Sequence, residues 1–111
     1  MKSERLLGGF ETLLLLAVMR LGEQAYGVTI RQELKKAGKD VAVGAIYTGL
    51  DRLARKGFVE SRMGEATAER GGRAKRLYRI TGSGVRAIRD TQRAIRKLTV
   101  GLSLEKQIWS T

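Results

Sequence analysis

Three apolar helical faces, each closed by a glycine, precede a switch to a β-like pattern, and that order constrains the fold more than any other feature. Leu6, Phe10, Leu13, Leu14, Ala17, Val18 and Leu21 recur at steps of three and four, one wide stripe of a helix. Gly22 is placed to end it, so the first helix is predicted from Leu6 or Gly9 to Leu21. Tyr26, Ile30, Leu34 and Ala37 share the next face, which gives a short second helix over Gly27–Ala37 with Gly38 as its stop. Ile46, Leu50 and Leu53 form the third face, predicted over Gly44–Lys56 and stopped by Gly57. Between the second and third helices, Val41 and Val43 alternate as in a very short strand.

The period then changes. FVESRM and KRLYRIT both read as extended, and they flank the turn-rich GEATAERGGRA. Two short strands around a loop too long for a tight turn make a hairpin. Thr81 stands where an N-cap belongs, before a final helix. Along that helix Val85, Ile88, Gln92, Ile95, Thr99 and Leu102 form a heptad-like seam with two polar members. EKQIWST beyond Leu104 reads equally as helix or coil. The fold class is therefore mainly α with a small β-hairpin: a winged helix-turn-helix over residues 1–81 and a C-terminal dimerisation helix over 82–111, in one compact unit.

Charge narrows the partners. The chain carries 22 Lys and Arg against 11 Asp and Glu, a net charge of +11. Such an excess bears on partners and association rates rather than on fold. Nucleic acid is the leading partner and an anionic membrane surface, or an acidic protein, the alternative. With no Cys and no His, the chain has no disulfide, thiol, His-based triad or usual zinc chemistry. No catalytic constellation, metal or cofactor is expected. LLLLAVM at Leu13–Met19 falls far short of the ~20 residues of a membrane span. The N-terminus lacks a signal-peptide pattern, so a soluble, cytoplasmic protein is expected.

In a helix-turn-helix the second helix of the motif enters the major groove. With Ile46, Leu50 and Leu53 turned inward, Gly44, Thr48, Arg52 and Arg55 face out, flanked by Tyr47 and Asp51. Guanidiniums and hydroxyls of this kind meet base edges or phosphates, although a charged helix face is also what solvent ordinarily covers. Gly49 interrupts this helix at a cost of about 1 kcal/mol against Ala. It serves a close approach of the first helix, a close approach of the duplex, or neither.

ERGGRAKRLYRIT (Glu69–Thr81) is not a phosphate-binding P-loop, because its glycines precede a strand rather than a helix. It reads as the far side of the hairpin, with Arg70 and Arg73 at the tip and Lys75 and Arg76 on the returning strand. Glu65 and Glu69 partly offset that charge. Arg86, Arg89, Arg93, Arg96 and Lys97 surround the seam of the last helix, whose continuation past one small domain favours a homodimer. Trp109 is a packing residue, a frayed end or a platform for a planar ligand.

AYGVTIRQEL, VGAIYTGLDRLARKGFVES and GGRAKRLYRITGSGVRAI, in this order and spacing, resemble the PadR family of transcriptional regulators. The resemblance spans all but the two ends. It implies a dimeric repressor of double-stranded DNA, with the recognition helix in the major groove and the wing near backbone or minor groove. The positions that carry over are Tyr26, Gly27, Gly44, Tyr47, Arg52 and Arg73. It further implies a dimer built by the C-terminal helix with help from the N-terminal one, which adds Leu6 and Phe10 to the seam. With one helix after the wing, the chain resembles the short subtype. Some relatives respond to small aromatic or drug-like effectors, and no residue here identifies one. Gly49 and the acidic Glu65 and Glu69 depart from the family pattern.

Overall fold

The computed structural model describes residues 6–64 and 74–110. The elements are α1 (Gly9–Leu21), a 3₁₀ turn (Gly22–Gln24), α2 (Gly27–Lys36), α3 (Val43–Arg55), β1 (Val59–Met63), β2 (Arg76–Ile80), α4 (Gly82–Thr99) and α5 (Leu104–Ser110). This is the expected mainly helical chain with one hairpin. Gly22, Gly38 and Gly57 all have positive φ, at 59°, 95° and 81°. They close the first three helices in the left-handed region that side-chain-bearing residues avoid.

The wide stripe of α1 has a tertiary cause. α1 packs on α2, α3, α4 and β2 at once, so Leu14, Leu15, Ala17 and Val18 are buried on more than one side. Ile30 and Leu34 from α2 and Ile46, Leu50 and Leu53 from α3 complete the core, each at most 2% exposed. Gly49 serves α1: a Cβ built there would stand 2.5 Å from Leu14 Cδ1 and 3.3 Å from Phe10 Cε2.

No strand forms at Val41 and Val43. Val43 opens α3, and Val41 lies in the connection, half-buried against the core. The Val41 carbonyl accepts from Arg31 Nε at 3.0 Å. That side chain, rather than a partner strand, holds the turn between α2 and α3.

β1 and β2 pair antiparallel, with Val59 opposite Ile80 and Ser61 opposite Tyr78. The hairpin is tied to the body at two points. Tyr78 N–H donates to the Ala25 carbonyl at 2.9 Å, and Thr81 N–H to the Phe58 carbonyl at 3.0 Å. Thr81 caps α4 as predicted: its hydroxyl accepts from Gly84 N–H at 3.1 Å and donates to the Gly57 carbonyl at 2.7 Å.

Two expectations about the C-terminal segment need correction. Leu102 is not on the helical seam, because α4 ends at Thr99 and Gly101 turns the chain with φ 82°. A second helix, α5, then follows where one helix was expected, and Leu104, Ile108 and Trp109 on it are all exposed. Among the described residues no helix is long and apolar enough to cross a membrane.

Glu11 joins the start of α1 to the end of α3. Its carboxylate accepts from Gly8 N–H at 3.1 Å and from Lys56 Nζ at 2.7 Å. Burial, the largest influence, pushes its pKa up. The Lys56 and Gly8 hydrogen bonds and the charges of Lys56 and Arg52 together outweigh it and hold the pKa below the ordinary value. A carboxyl with a lowered folded pKa stabilises above its unfolded pKa and loses that contribution as pH falls through the folded one. Glu11→Gln is therefore expected to cost about 1 kcal/mol at neutral pH. The gap to wild type should close as the solution is acidified below the carboxylate range. Urea titrations at neutral and acidic pH check this, and a gap unchanged in acid would contradict it.

Candidate nucleic-acid interface

α3 is amphipathic in the strict sense. Ile46, Gly49, Leu50 and Leu53 are buried, whereas Gly44, Tyr47, Thr48, Asp51, Arg52 and Arg55 are all exposed. The apolar positions anchor the helix from behind, so the outward residues sit on a rigid element. The period alone predicts the inward Ile46, Leu50 and Leu53 and the outward set; Gly49, which the period does not place, is buried as well.

The start of α2 lies against α3. A Cβ on Gly27 would stand 2.3 Å from Tyr47 Oη and 2.7 Å from Tyr47 Cζ. Only a glycine lets the Tyr47 phenol lie across the first turn of α2 in this way. Tyr26 precedes that turn, and its N–H donates to the Thr29 hydroxyl at 3.0 Å. The Tyr26 ring carries Lys75 Nζ over its face, 4.2 Å from the centroid. Lys75 thus stands just before β2, not on the returning strand as expected, and belongs to the cluster at the α2 N-terminus. Sequence spacing could not reveal this, because the two residues are far apart in the chain. Tyr78 lies behind, 6.5 Å from Tyr47 between ring centroids. Burial raises the Tyr78 phenol pKa above its ordinary value, with the charge of Arg76 opposing and Tyr47 and Asp51 adding to the rise. That ring stays neutral and structural.

Arg76 is exposed on β2 and donates to Ser61 Oγ at 3.3 Å. Arg70 and Arg73, the expected tip residues, lie outside the described residues, as do Glu65 and Glu69. The described part of the candidate interface is therefore the outward side of α3, the α2 N-terminus with Tyr26, Tyr47 and Lys75, and the base of the wing.

The residues expected at a dimer seam divide. Ile88 is buried in the chain's own core, at 5% exposure, and is not available to a partner. Its neighbour Thr91, which sequence reading passed over, is also buried. Its hydroxyl accepts from Leu7 N–H at 2.9 Å and donates to the Ala87 carbonyl at 2.8 Å, tying α4 to the approach of α1. Val85, Gln92 and Ile95 are exposed, and Thr99 is half-buried with its hydroxyl on the Ile95 carbonyl. Leu6 is exposed and Phe10 half-buried. Leu6, Phe10, Leu13, Ala94, Ile95 and Leu98 line an apolar groove of about 680 Å³ between α1 and α4. The helical step from Thr91 and Ile95 to Ala94 and Leu98 was the available signal for this face. The seam predicted through Ile88 is rotated relative to it.

Comparison with known proteins agrees with this geometry. The PadR-like transcriptional regulator family model matches residues 15–90. A transcriptional regulator of Mycobacterium tuberculosis, Rv3488, is 33% identical over 75 residues, 68% of this chain and 66% of that relative's own length. A PadR-like transcription factor from Bacteroides fragilis superposes with a TM-score of 0.71 at 26% identity, covering 81% of this chain and 82% of that one. A putative transcriptional regulator from Thermoplasma acidophilum shares the fold at 22% identity, with a TM-score of 0.68 over 93% of each chain. With its buried helical triad, its hairpin anchored to the α2 segment and a family match over most of its length, the chain belongs to the PadR-like family of transcriptional regulators.

Proposed function

We propose that the chain binds a pseudo-palindromic operator in double-stranded DNA as a homodimer and represses transcription in the cytoplasm. One observation carries this reading: α3 presents Thr48, Arg52 and Arg55 outward from a fully buried anchor. In the complex α3 lies in the major groove, where Thr48 and Arg52 meet base edges and Gly44 allows close approach. Tyr26, Tyr47 and Lys75 meet phosphate beside the first N–H groups of α2, where backbone donors and the helix dipole favour an anion. Arg55 and Arg76 hold the backbone, and Arg70 and Arg73 extend the contact from the wing.

Fluorescence anisotropy on the DNA upstream of the gene tests the reading. Binding should weaken steeply as salt rises, because neutralised phosphates release counterions. Arg52→Ala should lose about 1–3 kcal/mol of discrimination between the preferred and a mismatched site. Arg73→Ala should weaken all duplexes alike. Equal losses for both substitutions on specific and random DNA would remove sequence reading from α3. Salt-insensitive binding, or none, would end the proposal.

The partner subunit's α4 is proposed to fill the groove between α1 and α4. Ile95 and Leu98 are 56% and 79% exposed in the isolated chain, an arrangement that a helix partner would cover. Leu98→Glu should therefore shift the mass seen by light scattering at micromolar concentration from dimer to monomer, with the helical content kept. A dimeric variant would place the interface elsewhere. A small aromatic or drug-like effector suits the same apolar walls, where it would alter how the two protomers meet.

A further inference from the structure

α4 has a second surface that neither its packing nor operator reading uses. Arg86, Arg89, Arg93 and Arg96 recur at steps of three and four, and Lys97 falls beside them. At roughly 100° per residue they occupy about a third of the helix circumference. All five are exposed. The other side of the helix carries Gly84, Ala87, Ile88 and Thr91 into the core.

These cations have little to balance them. Among the described residues none of the five is in an ion pair. Arg86 donates to Ser83 Oγ at 3.4 Å. The one acidic residue of α4, Asp90, is half-buried at the flank of the stripe. Like charges three or four residues apart oppose a helix by about 0.2–0.5 kcal/mol per pair. A bound polyanion would reverse that sign.

Position decides which polyanion. α1 packs on the inner side of α3, with Phe10 and Leu14 at Gly49, and α1 also carries α4. The cationic side of α4 is turned away from that packing. α4 packs chiefly on α1 rather than on α3, so its cationic side is separate from the outward side of α3. We propose that the cationic side of α4 is a second, sequence-independent seat for duplex DNA, so that a protein held on its operator captures another duplex segment. The inference rests on the operator-binding reading above. From Arg86 to Arg96 the stripe is about 15 Å long at 1.5 Å per residue. Phosphates of one strand advance about 3.4 Å each along the duplex axis, so about four face the stripe. Four of the five cations are guanidiniums, whose planar paired donors suit phosphate oxygens.

A capture experiment tests this with the full chain. Operator DNA is immobilised, protein is bound, and a fluorescent duplex of unrelated sequence is added. Wild type should retain the second duplex, with a log–log salt slope of about −3.6. The triple variant Arg89→Gln/Arg93→Gln/Arg96→Gln should keep operator affinity within about twofold and lose second-duplex capture by about tenfold or more. Its circular dichroism and mass in solution should match wild type. Operator binding by wild type without capture would overturn the inference while leaving the operator reading intact. Capture undiminished in the variant would overturn it too, as would a loss that falls on the operator itself. Retention of anionic vesicles or an acidic protein in place of the second duplex would assign the stripe to another partner and refute it. If wild type binds no operator at all, the operator reading fails and this inference with it.

Discussion

Gly84→Ala should unfold at a markedly lower urea concentration than wild type, with a loss of about 2–3 kcal/mol. A Cβ at Gly84 would stand 2.4 Å from the Phe58 carbonyl oxygen, 3.2 Å from its carbonyl carbon and 2.7 Å from Ile80 Cγ1. The first two are backbone atoms of the segment that enters β1. They cannot swing aside as the end of a side chain can. The Phe58 carbonyl also accepts the Thr81 N–H, so moving it disturbs the joint between hairpin and α4. Helix propensity alone predicts the opposite sign, because Ala favours a helix over Gly by about 1 kcal/mol. Gly44→Ala supplies the contrast. A Cβ at Gly44 meets nothing within 4 Å, so that substitution should be neutral or stabilise by a few tenths of a kcal/mol. Urea titrations monitored by circular dichroism, at equal protein concentration, compare the two. A Gly84→Ala midpoint equal to wild type would show that the contact relaxes freely.

Leu50→Ala and Thr48→Ala, two positions apart on α3, should fail in different ways. Leu50 is fully buried, and truncating such a leucine costs about 2–5 kcal/mol through lost burial and the cavity left behind. Thr48 is exposed on the opposite side, where surface substitutions stay within about 0.5 kcal/mol. Its replacement should leave the unfolding midpoint in place and change which operator variant is preferred. Denaturation and binding selection from randomised DNA, run on both proteins, separate the two effects. Were Thr48→Ala as destabilised as Leu50→Ala, the assignment of inward and outward sides would be wrong. Because self-association would make the apparent stability depend on protein concentration, the comparison holds concentration fixed.

Much of the helix-turn-helix was legible because it is written locally. Periods of three and four mark the buried Leu14, Ala17 and Val18 of α1, Ile30 and Leu34 of α2 and Ile46, Leu50 and Leu53 of α3, but they miss the buried Leu15 and include Leu6 and Ala37, which are exposed. A positive φ at Gly22, Gly38 and Gly57 is a property of single residues. The Thr81 cap reaches only three residues along the chain. The outward residues of α3 followed from its inward ones, since one side of a helix implies the other. Val41 and Val43 misled because alternation over so few residues says nothing about a pairing partner, and none is supplied among the described residues.

The order of the three helices, the hairpin and α4, the glycine stops of α1 to α3, the two sides of α3 and the excess of positive charge were thus determined by sequence alone, whereas the end of α4 and the presence of α5 were not. Each depends on backbone geometry repeated over a few residues or on composition. Tertiary structure decided what a given side of a helix touches. It placed Ile88 inside the chain's own core and opened the groove at Ile95 and Leu98. It set Gly49 against α1, Gly84 against the Phe58 carbonyl, and Lys75 over Tyr26. These contacts join residues distant in the chain. Their distances are set by how whole helices pack, and no periodicity within a single helix encodes that.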